Sequence, residues 1–467
     1  MTDREVARPG TRGADGSPRR PGRGRLALLA GSATALLTAS LAGSALGFLS
    51  KAACRAGAWN TSLGQYQAHC YTDIYPLYFG EGLSAGKVPY SGHPVEYPVL
   101  IGAAMQAAAW MVHVISNPFI RGREFFDVTV AMLAIFAAAG VLATAYLAGR
   151  SRRWTALLVA LAPALIFAAF INWDLIAMSL ATLGMAAWAA RRPALSGALL
   201  GLAVATKFYP VIFLGPLFLL CLRAGRLRAF WTTAGSAAAA WLAVNLPVAL
   251  AAPSGWSTFY RLSASRGADW GSIWYFFETR HWPVLGGSRL SDLNAMSTAA
   301  FTAAFLLIAV LTLAAPRRPR VPQLFFLALA AFLLVNKVWS PQYVIWLTPL
   351  VVLARPRLWS YALWQLAEVG YFFAIWAYLI TIAAGSGAPG GIGAGLYFTA
   401  LAARSAAVLL LCGLVVRDIL RPETDVVRAA GEDDPAGGVL AGAPDRLLIR
   451  LWPSAWSSRE CISHPQS

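Results

Sequence analysis

LALLAGSATALLTASLAGSALGFL, residues 26–49, holds no charged residue and is long enough to cross the ~30 Å hydrocarbon layer of a bilayer as one helix. It is too long for the core of a secretory signal and lacks a clear cleavage site, so it reads as a retained first transmembrane helix. Residues 1–25, in front of it, are rich in Arg, Gly and Pro and hold no apolar set able to form a core. They read as a disordered cytoplasmic tail, with Arg23 and Arg25 keeping the helix start inside.

Comparable apolar stretches recur as far as Val416, and the chain as a whole is 58% apolar and 13% charged. An ordinary soluble domain carries ~25% charged residues, so this chain cannot be wrapped in a polar surface and lipid must be its main solvent. The expected fold is all-α, a polytopic transmembrane bundle of about twelve helices. The formal charge of +17 does not point to nucleic acid, because the arginines sit in short clusters between apolar spans, without a continuous stripe and stacking aromatics. The 18 Trp and 15 Tyr suit interfacial belts as well as sugar-stacking surfaces.

Five clusters free of acids set the topology: Arg150, Arg152 and Arg153; Arg191 and Arg192; Arg223, Arg226 and Arg228; Arg317, Arg318 and Arg320; Arg355 and Arg357. Placing all five inside predicts helices near 127–149, 155–171, 174–190, 194–206, 208–222, 229–251, 295–315, 321–335, 340–354, 358–383 and 396–416. With the first helix this makes twelve crossings of a bacterial plasma membrane and puts both termini in the cytoplasm. Pro98–Ile115 is also long and apolar, but a crossing there would send Arg150–Arg153 outside. It reads as an in-plane or re-entrant helix of the first external loop, the competing reading being a true crossing with a later segment not spanning. Residues 26–417 thus form the membrane domain, and 418–467, acidic around Glu432–Pro435, read as a second disordered cytoplasmic tail.

With this topology the varied polar residues gather outside, in the loops Ser50–Glu124 and Ala252–Leu293 and the turns around Asn172, Lys207 and Asn336. The inner loops carry little but arginine, so chemistry is expected on the external face. Asp73, flanked by aromatics that raise a carboxylate's basicity, is a candidate general base or else a helix N-cap or a surface acid. Glu96 precedes Pro98 where an acid suits the first turn of a helix, and capping is its expected role, with Tyr97 beside it. Asn172-Trp173-Asp174 interrupts an apolar run with a carboxylate that is either a cap or a site residue. Lys207 is a lone cation between short apolar helices, free to snorkel or to bind.

The second loop adds Arg266 and Asp269, and Asn336–Tyr343 adds Lys337, Gln342 and Tyr343. Lys207, Arg266 and Lys337 facing one side would suit a lipid phosphate, arginine offering two parallel hydrogen bonds and lysine a point charge. No Cys/His spacing matches a metal site and no nucleotide-binding glycine motif appears, so neither a metal nor another cofactor is expected. Cys54 and Cys70 share the first external loop, where oxidising conditions permit a disulfide.

Seven segments carry a resemblance: Cys70-Tyr71-Thr72-Asp73-Ile74, Gly86-Lys87-Val88-Pro89-Tyr90, Val95–Leu100, Asn172–Leu175, Ala205–Pro210, Ser265-Arg266-Gly267 and Asn336–Tyr343. From about Leu26 to Arg417 the chain resembles the C-type glycosyltransferases, and within them the actinobacterial polyprenol-phosphate-mannose-dependent α-1,2-mannosyltransferases. The resemblance implies a catalytic acid in the first external loop, matching Asp73, and membrane-parallel helices in that loop. It also implies a polyprenyl-phosphate-sugar donor, a glycolipid or glycan acceptor, inversion at the anomeric carbon and no strict need for a metal. A carrier or flippase of such lipids, and a scaffold contacting partners through its two tails, are the competing readings.

Overall fold

The computed structural model describes residues 23–281 and 290–449; the rest of both expected tails, 1–22 and 450–467, lies outside the described residues. The chain runs through α1 (Arg23–Leu49), α2 (Ile74–Gly80), α3 (Val99–Val112), α4 (Pro118–Leu147), α5 (Asp174–Ala189), α6 (Pro193–Thr206) and α7 (Leu214–Arg223). It continues through α8 (Leu227–Ala251), α9 (Pro253–Ser265), α10 (Leu290–Ala314), α11 (Val321–Val335), α12 (Val344–Ala354), α13 (Leu358–Ala384) and α14 (Ala394–Leu420). No strand forms among the described residues, so the architecture is the all-α polytopic bundle expected from composition.

Two lengths of helix build it. The apolar parts of α1, α4, α8, α10, α13 and α14 run 19 to 30 residues, long enough to cross a bilayer. Shorter apolar helices lie among them, and these hold the core: all of Val344–Ala354 is buried, as is most of α5 and α11. By contrast α8 and α10 expose Trp231, Leu246, Leu250, Leu306 and Leu307, a surface that only hydrocarbon would cover. The helix pair α6 and α8 approaches closely at Gly197 and Gly201, where a Cβ would run into the carbonyl oxygens of Thr233 and Ala237.

The helix expected over 155–171 is instead broken into the turns Arg153–Ala156, Leu157–Ala160 and Pro163–Ala168. Pro163 has no N–H to continue the ladder, and neighbours satisfy the backbone it frees. Gln365 Oε1 accepts from the Ala164 amide at 3.0 Å, and the Tyr361 hydroxyl donates to the Leu158 carbonyl. The next carbonyls, at Phe170 and Ile171, hold the first loop, accepting from Thr72 Oγ1 at 2.7 Å and from the Asp73 amide at 2.7 Å.

The disorder expected from residue 418 onward is corrected for residues 418–449. Asp418 and Asp425 are buried, and Val427, Ala436, Leu440 and Ala443 join the apolar core. This strap reaches all five arginine clusters or the helix ends bearing them. Arg320 meets Asp425 at 2.7 Å and also donates to the last carbonyls of α12, at Leu353 and Ala354. Glu432 takes Arg152 at 2.8 Å, Asp445 takes buried Arg223 at 2.7 Å, Asp418 takes Arg355, and Trp188 donates to the Gly437 carbonyl beside Arg191. Apolar anchors and opposite charge, not composition averaged over the tail, decide its order.

Candidate active site

Away from that strap, a set of polar side chains converges on Asp73. The residue occupies the N-cap position of α2, but its side chain makes no cap hydrogen bond. Both carboxylate oxygens turn to phenols instead: Tyr71 donates to Oδ1 at 2.6 Å and Tyr97 to Oδ2 at 3.1 Å. Trp376 stacks on Tyr71 with ring centres 4.5 Å apart, and Trp173 meets Tyr97 edge-on at 5.5 Å, so aromatic walls displace water from around the carboxyl. This burial pushes its pKa up to about 6. Glu96 pushes the same way, while the two phenols and Lys207 oppose the rise.

Glu96 does not cap α3, whose N-cap is Pro98 and carries no side-chain cap bond. Its side chain is exposed, and its amide leans on buried Glu81 at 3.4 Å. The Glu81 carboxyl is itself raised to about 7, chiefly by burial. Asp174 opens α5 as a buried carboxylate and pairs with Lys207 at 2.9 Å, also accepting from the Trp346 indole at 3.0 Å. Asn172 Oδ1 accepts from the Asp174 amide at 3.0 Å, which starts the helix and aims the carboxylate. Lys207, at the C-cap of α6, lies over the Tyr97 ring at 4.9 Å and near the Tyr343 ring at 5.9 Å. It is therefore neither isolated nor snorkelling, because its charge is bound by Asp174.

The expected trio of phosphate-facing cations also divides. Lys337 uses its ammonium on the carbonyls of Ala264 (3.1 Å) and Arg266 (2.7 Å) and on Asn294 Oδ1 (2.6 Å), three acceptors for three protons. It pins the second loop. Arg266 is exposed, and no ion pair or hydrogen bond engages its guanidinium among the described residues. Asp269 is held by its amide on the Lys337 carbonyl at 2.8 Å; burial raises its pKa, and Arg266 counters this. Tyr343 and buried Gln342 follow on the 3₁₀ turn Pro341–Tyr343, and the Tyr343 phenol lies in the fields of Lys207, Asp174, Asp269 and Arg266.

Cys54 and Cys70 form a disulfide that ties the start of the first loop to the segment carrying Asp73. Three side chains that the sequence reading passed over complete the surroundings. Lys51, wholly buried, donates to the Tyr71 carbonyl. Arg404 and Glu368 pair at 2.8 Å inside α14 and α13, and Arg404 also donates to the carbonyls of Trp339 and Ser340 while its guanidinium lies between the Trp339 and Tyr371 rings. A signal for this pair was present, since each is a lone charge within an otherwise apolar span. Among the described residues no group of His, Cys, Asp and Glu is arranged to hold a metal.

The arrangement offers one partly exposed carboxylate of raised basicity, a neutralised Lys–Asp pair beside it and one uncommitted guanidinium. No curated protein shows significant similarity to the chain. Residues 123–341, however, match Glycosyltransferase family 87, a stretch that includes Asn172, Asp174, Lys207, Arg266, Asp269 and Lys337 and leaves Asp73 and Glu96 outside it. The chain is thus similar over that stretch to a membrane glycosyltransferase family, and the likeness supports glycosyl transfer as its chemistry.

Proposed function

We propose that the protein transfers mannose from a polyprenyl-phosphate-mannose donor to a glycolipid or glycan acceptor of the cell envelope, with Asp73 as general base. The observation that carries the reading is the Asp73 carboxylate gripped by two phenols where a helix cap would otherwise be expected. The acceptor hydroxyl gives its proton to Asp73 as its oxygen bonds to the anomeric carbon. On the opposite face the bond from that carbon to the phosphate oxygen breaks, and its electron pair leaves with the polyprenyl phosphate, which inverts the centre.

Arg266 is the cation assigned to the departing phosphate, since a free guanidinium can give two parallel hydrogen bonds. Lys207 and Asp174 fix Tyr97 and Tyr343, and Lys337 holds the loop that carries Arg266. Glu96, exposed beside Asp73, and Asp269 are assigned to sugar hydroxyls. The site opens on the external face of the plasma membrane, with both termini inside, in keeping with the arginine clusters gathered at the other end of the bundle.

Full-length protein in nanodiscs, supplied with radiolabelled polyprenyl-phosphate-mannose and extracted envelope lipids, should label an acceptor and release polyprenyl phosphate. Asp73→Asn should cut turnover by about 10²- to 10⁴-fold, the usual worth of a general base. Full turnover by that variant would overturn the assignment.

A further inference from the structure

We propose that Lys51 is a positioning residue for Asp73: from behind the carboxylate it fixes the segment that presents it and adds a positive charge, with no acid of its own, that favours the ionised form. The inference rests on the reading of Asp73 as the base.

Lys51 lies just beyond α1, in the turn before the short helix Ala52–Ala56, and is 0% exposed. Its Nζ donates to the Tyr71 carbonyl at 3.0 Å and to the Phe167 carbonyl at 3.1 Å. Those two carbonyls belong to the two segments that hold Asp73. Tyr71 gives its phenol to the carboxylate, and Phe167 sits in the broken stretch whose later carbonyls take Thr72 and the Asp73 amide. One ammonium therefore joins both supports of the base.

Joining them does not by itself require a charge. The Cys54–Cys70 disulfide already closes the same corner, and an ammonium taken out of water is costly unless something compensates it. No carboxylate lies within ion-pair distance of Lys51 among the described residues; from α13 it meets only the Phe372 ring, at 5.7 Å. The acid whose field reaches it is Asp73, and burial, against that field, lowers its pKa to about 7. Around Asp73 stand Tyr71, Tyr97, Glu96 and Lys207, and Lys207 is already balanced by Asp174 at 2.9 Å. Lys207 opposes the rise of the Asp73 pKa while sharing its charge with Asp174, and Lys51 is a second cation coupled to Asp73, one with no acid of its own within ion-pair distance.

The test reads the protonation of Asp73 without any donor. A hydrophobic carbodiimide modifies protonated carboxyls in apolar surroundings, and the adduct on Asp73 can be followed by mass spectrometry in nanodiscs from about pH 5 to about pH 9. Wild-type labelling should be half-maximal near pH 6, where burial places this carboxyl. Lys51→Gln keeps two N–H donors for the two carbonyls and removes only the charge; Lys51→Met removes both. In each the midpoint should rise by about one pH unit, and Lys51→Arg should return it to the wild-type value or below it.

A purely structural lysine would lower the amount of folded protein and leave the midpoint in place, which would overturn the proposal. Should neither neutral variant fold, Lys51→Arg decides alone: arginine stays charged where this lysine gives up its proton, so a midpoint below that of the wild type would support the proposal and one at or above it would overturn it. Sugar transfer with an unmoved midpoint would fail this inference only. A moved midpoint without transfer from polyprenyl-phosphate-mannose would fail the proposed function and leave Lys51 in its role.

Discussion

At the scale of single residues, the proposed chemistry depends on how one carboxylate is solvated. A phenol O–H favours the charged form of the acid it donates to, so removing either hydroxyl should raise the Asp73 pKa further. In the role proposed for it Asp73 works ionised, so turnover should fall as pH drops through about 6, the value at which it takes up its proton. In Tyr71→Phe that acidic limb of kcat/KM should move to higher pH, and in Tyr97→Phe by less, as the 2.6 Å bond is the closer of the two. A pH–rate profile of each variant checks the order. Asp73 stands out in the chain as an acid among aromatics after a first span, but its grip by two phenols is visible only in the fold. The Lys207–Asp174 pair was not, since 33 positions separate partners brought together only by the packing of α5 and α6. Nor could spacing reveal that Lys337 has three backbone and amide acceptors waiting for it.

Among the elements, the contrast of short inner helices and long outer ones organises the site. Helices of about 14 to 16 residues, such as α5 and α6, reach only roughly 21–24 Å at ~1.5 Å per residue, less than the ~30 Å core of a bilayer. The turns that join them, at Asn172 and Lys207, are thereby sunk among neighbours able to satisfy them. Arg404 and Glu368 stabilise another such turn by holding the carbonyls of Trp339 and Ser340 in front of Gln342 and Tyr343. Removing one member leaves the other charge buried and alone, so Arg404→Met should lose about 3–5 kcal/mol of stability. The double variant Arg404→Met/Glu368→Leu should recover part of it; thermal unfolding in detergent measures both. Periodicity and charge clusters placed most of the apolar helices within a few residues, but the first-loop end of 155–171 was misread as continuous. Pro163 was visible in that stretch, whereas the Gln365 and Tyr361 side chains that make its break tolerable come from a helix two hundred positions away.

For the whole molecule, the strap 418–449 changes what a deletion should do. A disordered tail could be cut away at little loss, but removing residues 422–467 takes Asp425 from Arg320 and Asp445 from Arg223, leaving two buried guanidiniums without their acids. That truncation should sharply lower the yield of monodisperse protein in size-exclusion chromatography. Asp425→Asn should do so to a lesser degree, because Arg320 keeps its two carbonyl acceptors. Composition suggested disorder here because the segment is acidic and rich in Gly and Pro; the few apolar side chains that seat it, Val427, Ala436 and Leu440, are too sparse to form a pattern.

The strap also follows, in chain order, every loop that it latches, and those loops are made much earlier. During synthesis every arginine turn must emerge and wait, positively charged and unlatched, until the ribosome has delivered the closing stretch. A polypeptide halted before that point would be a threaded but open bundle, so arrival of the strap, and not of the last helix, closes the assembly.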